Sequence, residues 1–361
     1  MLRKGKFLIS ALLVFTALNL HAQSPEETKL KFLTPAEVFM AVEKSTTSYN
    51  ISIIPSDSIE QVVASAMFPQ VSQRMVFPVV EVKDGEHSPR PYEFDSLEFD
   101  MLTRAETDYQ AKRYEQARSI YLEVAEKWPH SYPAVSHIGD TYYFSGDYAT
   151  ALRYYDSAIG LNPYDPQLYY YRGNALVRMG QLDNGIDSYI DALALLPHYP
   201  AVMNMLKSMA EPVGLELHDG LFHPGACARR DGEDIAVGLH EGSSANGWII
   251  YGLAKGLWLG EPEHRKKRLG REEYHWSSTE EQECLVATLA AYLQFKKDDE
   301  DISDPNLDKL FEMSLDGHLL SYVLYEIGYR MDPNIMLRTD DDVRKKVREY
   351  VSRYVVIRKD P

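Results

Sequence analysis

The chain is poor in cysteine, in positive charge and in long apolar runs, and each shortage narrows what it can do. Only Cys227 and Cys284 occur in 361 residues. In an oxidising compartment they would close a loop worth roughly 4 kcal/mol by loss of chain entropy. Spacing alone leaves three outcomes open, a disulfide, two buried free thiols or a reactive cysteine. The 38 Lys and Arg against 54 Asp and Glu give a formal charge of −16. That balance lacks the clustered positive face nucleic acid requires, and it gains nothing from an anionic lipid surface. Catalytic signatures are missing too. There is no GxSxG, no HExxH and no glycine-rich phosphate loop, so neither an enzyme nor a bound cofactor is expected.

One apolar run exists, at the start. Arg3, Lys4 and Lys6 precede an uncharged stretch from Phe7 to Leu20, and Ala22–Gln23 offers a small residue for cleavage. This reads as a secretory signal over residues 1–22, with an uncleaved anchor as the other reading. No cysteine follows the run, so a lipid anchor is not expected. Loss of the leader leaves 35 basic against 54 acidic residues, a charge of −19. The expected product is exported, periplasmic or secreted, with no stable membrane insertion.

What the sequence has in abundance is a period. With Tyr132 as position one, Gly139, Tyr142, Ala151, Tyr155, Ala158 and Pro163 stand at positions 8, 11, 20, 24, 27 and 32. Thirty-four residues on, Gly173, Leu176, Gly185, Tyr189, Ala192 and Pro197 take the same places. Thirty-four back, Ala105, Asp108, Ala117, Tyr121, Val124 and Pro129 do so, with position 11 polar. The pattern resembles the tetratricopeptide repeat, a helix–turn–helix unit of that length. The resemblance implies three units, 98–131, 132–165 and 166–199. Small residues would let helices A and B cross closely, large ones would fill the gap to the next unit, and proline would stop helix B. Residues 201–210, with Val202, Met203, Leu206 and Met209 at helical spacing, read as a closing helix. The fold class expected is mainly α: an α-solenoid of three helix pairs, a capping helix, and a mostly helical C-terminal domain with a small β-hairpin.

In that family ligands meet the concave face, and positions 5, 9, 12 and 13 point inward. Carried over, they are Leu102, Glu106, Tyr109 and Gln110, then Ser136, Asp140, Tyr143 and Phe144, then Tyr170, Asn174, Val177 and Arg178. Four aromatics, two carboxylates and one arginine suit a peptide that is apolar or mildly basic. Members that clamp chaperone carboxylates place basic residues inward in their first and third units. Here Leu102, Glu106 and Tyr170 stand in those places, which argues against a clamp. The plain alternative is that the aromatics only pack the repeats.

Residues 23–97 read as a lead-in and linker. One helix starts at Thr34, Ile51–Ile54 suggests a strand, and 83–93 carries Gly85, Pro89 and Pro91 among charges. Residues 200–361 hold enough apolar surface for a core of their own. Leu215, Leu217, Leu221 and Phe222 stand among Gly and His, Asp231–Gly232 signals a tight turn between Cys227–Arg230 and Ile235–Leu239, and one or two small hairpins are expected there. Helices are expected from Ser244, from a capping box at Ser278 and Glu281, from Asp304–Pro305, from Gly317 to Tyr329, and from Thr339. Trp248, Tyr251, Lys255 and Trp258 share one helical face. That order, ending in Leu259-Gly260-Glu261-Pro262, resembles a segment following tetratricopeptide repeats in exported bacterial proteins, and brings no activity with it. His218, His223, His240 and Glu241 lack the spacing of a metal site. The run His264–Arg268 reads as a solvated basic loop. The function expected is a non-catalytic adaptor or scaffold in the cell envelope. The alternative is an enzymatic or small-ligand C-terminal domain with the repeats as a targeting arm, which requires His218, His223, Cys227, Glu241 and Trp248 to converge.

Overall fold

The computed structural model describes residues 31–55, 73–218, 224–241, 247–299 and 301–359. The expected leader, His223 and the expected cap Ser244 lie outside them. The first helix, α1 (Pro35–Lys44), starts on a capping box in which the Thr34 side chain accepts from the Glu37 amide and the Glu37 side chain accepts from Thr34 N. Strand β1 (Tyr49–Ile54) follows, then β2 (Pro78–Lys83) and β3 (Glu86–Pro91). The expected linker is therefore a β-hairpin. Asp84 and Gly85 both take positive φ, 52° and 81°, the conformation a two-residue turn between twisted strands demands.

The repeats form three antiparallel helix pairs: α2 (Ser96–Gln110) with α3 (Tyr114–Lys127), α4 (Tyr132–Phe144) with α5 (Tyr148–Leu161), and α6 (Pro166–Arg178) with α7 (Leu182–Leu195). The chain reverses within units two and three through Gly146 and Gly180 at φ 87° and 76°; Lys112 does the same in unit one at φ 59°. In units two and three, glycine at position 8 makes room for the tyrosine ring of position 24. A Cβ on Gly139 would lie 2.7 Å from the Tyr155 ring, and one on Gly173 2.5 Å from the Tyr189 ring. The closing helix is α8 (Pro200–Met209), with Val202, Met203, Leu206 and Met209 buried.

Beyond it lie β4 (Leu215–Leu217), β5 (Ala226–Asp231) and β6 (Asp234–His240). The hairpin at Asp231 forms β5–β6, but β4 is not part of a second one; it pairs with the C-terminal strand β7 (Val356–Arg358). Strand β1 joins β6 in parallel, giving the order β1-β6-β5. Helix α9 (Trp248–Gly260) lies on this sheet. Its Gly252 and Gly256 allow the approach, since Cβ atoms there would stand 2.6 Å from Val237 and 2.8 Å from Tyr49. Helices α10 (Pro262–Leu269) and α11 (Ser278–Asp298) complete that core, and α1 packs on α9 and α11. Tyr49 and Ser45 both donate hydroxyls to Glu261, at 2.9 and 2.6 Å. The α1–β1 part of the expected lead-in thus packs into the C-terminal domain, where its apolar helix face and strand edge find cover.

The remaining elements are α12 (Pro305–Leu315), α13 (Leu319–Tyr322, running through a π-helical turn at Val323–Gly328 into Tyr329–Met331) and α14 (Asp341–Tyr350). Two caps sit one residue from expectation: Ser277 caps α11 in place of Ser278, and Asp340 caps α14 in place of Thr339, whose hydroxyl donates back to Met336. The C-terminal domain does not keep a core wholly to itself. Ile186, Tyr189, Leu193 and Leu206 share one with Leu324, Tyr325, Val347 and Tyr350. The last repeat is closed by α8, α13 and α14 together.

Candidate functional site

Every unit of the stack repeats one polar contact. The position-24 tyrosine donates its hydroxyl to the position-9 side chain of its own unit: Tyr121 to Glu106 at 3.2 Å, Tyr155 to Asp140 at 2.8 Å and Tyr189 to Asn174 at 2.7 Å. Burial, seconded by the carboxylates in the first two units, pushes these phenols up, so they remain donors. Three residues expected to face a ligand are thereby engaged in joining helix A to helix B. Gln110 donates to Glu106, and Asp140 also meets His137 Nδ1 at 3.2 Å.

The inward positions divide into two ends. At the junctions between units, the chain's own residues lie against the helices. Phe77, Val79 and Tyr92 pack on Tyr132, Ala158 and Leu168, and the inward-facing Ser136 and Asp140 are buried. At the turns within units, side chains converge that the period had placed far apart. Tyr109 and Phe144 meet edge-on at 5.8 Å, Tyr114 stacks on Phe144 at 6.1 Å, and Tyr143 contacts Phe144 and Tyr148 at 5.3 Å each. Arg178 closes the row, donating to the Tyr148 hydroxyl at 2.6 Å with its guanidinium 5.0 Å from that ring. Phe144 is 57% exposed, and what sets it apart is the cluster of rings around it.

Of the expected site residues, Tyr109, Tyr143, Phe144 and Arg178 come together. Leu102 packs with Ala105, Tyr121 and Met101, and Val177 packs in the core of the last repeat and next to Gly185. Tyr170 turns toward Tyr171, Tyr189 and Tyr199, with centroids 5.6, 6.2 and 5.8 Å away. Tyr114 and Tyr148 were missed. Both stand at position 17, the first residue of helix B, and the recurrence of tyrosine there in two units was the available signal.

The TPR repeat family model matches residues 139–180. This chain carries tetratricopeptide repeats. Solved structures are similar over about a third of it. The first TPR of Spaghetti (RPAP3) bound to the HSP90 peptide SRMEEVD is 19% identical, with a TM-score of 0.31 over 33% of this chain and 94% of that one. The Yersinia enterocolitica type III secretion chaperone SycD in complex with a peptide of the translocator YopD is 18% identical, with a TM-score of 0.30 over 33% and 90%. The first TPR domain of human RPAP3 is 18% identical, with a TM-score of 0.31 over 32% and 90%. No curated protein matches.

Outside the tetratricopeptide stack, the shared face of α9 meets the acidic start of α11. Lys255 Nζ donates to Glu280 at 2.6 Å and Glu281 at 2.8 Å; the Tyr251 hydroxyl donates to Glu281 and the Tyr274 hydroxyl to Glu280 at 3.2 Å. Trp258 Nε1 donates to Glu283 at 3.0 Å, where His264 and Arg268 also arrive. Burial alone would pull the Lys255 ammonium down, but the two carboxylates together hold it well above its usual range. Burial pushes the Glu280 carboxyl up. The basic run is not a solvated loop. It forms α10, and Arg265 reaches back to the carbonyls of Trp258 and Leu259 at the end of α9.

Of the side chains whose convergence would mark a pocket, three described ones are engaged elsewhere. His218 pairs with Glu216 at 3.1 Å beside β7, Cys227 lies inside the sheet, and Trp248 donates to Asp304 at 2.7 Å. Cys227 and Cys284 are separate buried thiols and form no disulfide, one on β5 and the other on α11 beside the Lys255 network. Burial raises both, so neither is an activated nucleophile. Among the described residues no group of three or more His, Cys, Asp or Glu is placed to hold a metal, and no helix is long and apolar enough to cross a membrane.

Proposed function

We propose that this protein is a non-catalytic adaptor of the bacterial cell envelope that holds a protein or peptide on its tetratricopeptide stack. The observation carrying this reading is the aromatic row at the intra-unit turns, in which the exposed Phe144 stands among the half-buried Tyr109, Tyr114, Tyr143 and Tyr148 and Arg178 ends the row. Rigid aromatic surface gives large contact area at little entropic cost, which is what binding hot spots use. The stack from 98 to 199 holds 14 acidic and 8 basic residues, so the ligand is apolar or mildly basic. Export rests on the basic start, apolar run and small residue of positions 1–22. Affinity capture from envelope extracts tests the binding half: the wild-type chain should retain a partner that Tyr143→Ala/Phe144→Ala loses with its fold intact. Sequencing the N-terminus of the mature protein tests the other half. A chain beginning near Gln23 supports export, and one still carrying Phe7–Leu20 makes it an anchored protein.

A further inference from the structure

A short segment of the chain itself already lies against the ends of units two and three. Residues 73–77 belong to neither a helix nor a strand ladder. Their main chain is held by a side-chain amide instead: Met75 N donates to Asn334 Oδ1 at 2.8 Å, and Asn334 Nδ2 donates to the Gln73 carbonyl at 3.0 Å. The Arg74 guanidinium lies 4.8 Å from the Tyr199 ring, and its charge is felt at the buried Asp165. Three residues on, the Phe77 ring stands edge-on to Tyr132 and His137, both at 6.4 Å, and to Phe94 at 5.6 Å.

Two features mark this as recognition rather than a convenient path between elements. Phe77 sits at φ 48°, a left-handed conformation that a bulky residue keeps only where its surroundings enforce it. The contacts also come from separate parts of the fold: α4, the turn before α8, and the segment between α13 and α14. An amide reading two backbone groups, an aromatic face under a cation and a box of rings for an aromatic side chain are the elements of a sequence-selective peptide site.

We infer that units two and three, with Tyr199 and Asn334, form a peptide site occupied in cis by Gln73–Phe77. In trans it would take a short segment with an arginine three residues ahead of an aromatic ring. This site is distinct from the aromatic row at the intra-unit turns and does not depend on that row binding anything. A tethered occupant competes at high effective concentration, so the site is closed to outside peptides until its contacts are weakened.

The test is fluorescence anisotropy with a labelled synthetic peptide of residues 73–80, titrated into the full chain as wild type and as Arg74→Ala/Phe77→Ala. The folded variant should bind the peptide at least about tenfold tighter than wild type does. A peptide with its own Arg and Phe replaced by Ala should not bind. Equal binding to the two chains, absence of binding to both, or binding that ignores the alanine peptide overturns the inference. If the double variant does not fold, Arg74→Ala alone is read by amide hydrogen exchange. Faster exchange at Met75 supports a docked ligand, and unchanged exchange overturns it. Partner capture by the aromatic row should be the same in wild type and variant whichever way the peptide behaves.

Discussion

The repeat stack and the C-terminal domain both bury polar side chains between two helices, but they use different chemistry. In the stack, Tyr121, Tyr155 and Tyr189 each place a neutral hydroxyl against an acceptor on the partner helix. In the C-terminal domain, α9 sends the ammonium of Lys255 into a site holding two carboxylates, Glu280 and Glu281. A neutral donor loses less than a charge when desolvated, and leaving a buried partner unsatisfied costs about 1–3 kcal/mol. A buried charge is tolerated only while it is paired. The stack is therefore built from exchangeable small contributions and tolerates variation along its surface. In the C-terminal domain the join between α9 and α11 includes a buried cation that must keep its carboxylates.

The sharpest way to break this contrast is Lys255→Met. Removing the cation leaves Glu280 and Glu281 buried without it, and the loss should be about 3–5 kcal/mol at neutral pH by urea denaturation. The pH dependence has a definite sign. Burial already raises the Glu280 carboxyl, and in the variant the folded state holds protons the unfolded state has lost. That contribution favours folding below the unfolded carboxylate range and is lost as pH rises through the folded value, so the deficit against wild type should shrink on acidification. A deficit independent of pH would contradict the ionic account of this core.

Overpacking the stack should come next. Ala151 is fully buried at the crossing of α4 and α5. Ala151→Trp should cost about 1–3 kcal/mol, seen as a lower Tm, and an unchanged Tm would mean the helices cross elsewhere. Tyr155→Phe is the smaller, sharper probe. It removes one hydroxyl from the buried Asp140, which keeps His137 as a partner, so the cost should be that of one net hydrogen bond, about 0.5–1.5 kcal/mol in chemical denaturation. Tyr189→Phe should cost less, because Asn174 is half-exposed and water can replace the donor. Equal costs at the two sites would show that burial of the acceptor does not set the price.

The stack was legible because it repeats. Gly139 with Tyr155 and Gly173 with Tyr189 fix each helix crossing, and Pro129, Pro163 and Pro197 mark the ends of the B helices. The C-terminal domain was legible in its elements and hidden in its partners. Trp248, Tyr251, Lys255 and Trp258 declared a common face, but nothing local says that Glu280, Glu281 and Glu283 cover it. Strand β1 carries no sign that it pairs with β6, since a parallel partner far along the chain leaves no pattern in a six-residue strand. The candidate site was half legible for the same reason. Position 12 and 13 aromatics followed from the period, whereas the hydrogen bonds claiming Glu106, Asp140 and Asn174, and the segment lying over Tyr132 and His137, are set by tertiary contacts. Point variants are the sound probes of either region, because α7 and α8 share their core with α13 and α14.

The aromatic row as docking surface is tested most directly by titrating the captured partner against three full-length chains: wild type, Tyr143→Ala/Phe144→Ala, and Lys267→Glu on the exposed side of α10. The double variant should bind at least about tenfold more weakly, because each truncated ring removes contact of hot-spot type. Its Tm should stay near that of wild type, since Phe144 is exposed and Tyr143 half-exposed, and Lys267→Glu should leave Kd unchanged. An unchanged Kd for Tyr143→Ala/Phe144→Ala, with binding lost in Lys267→Glu, would place the partner on the C-terminal domain and contradict the row as the binding surface.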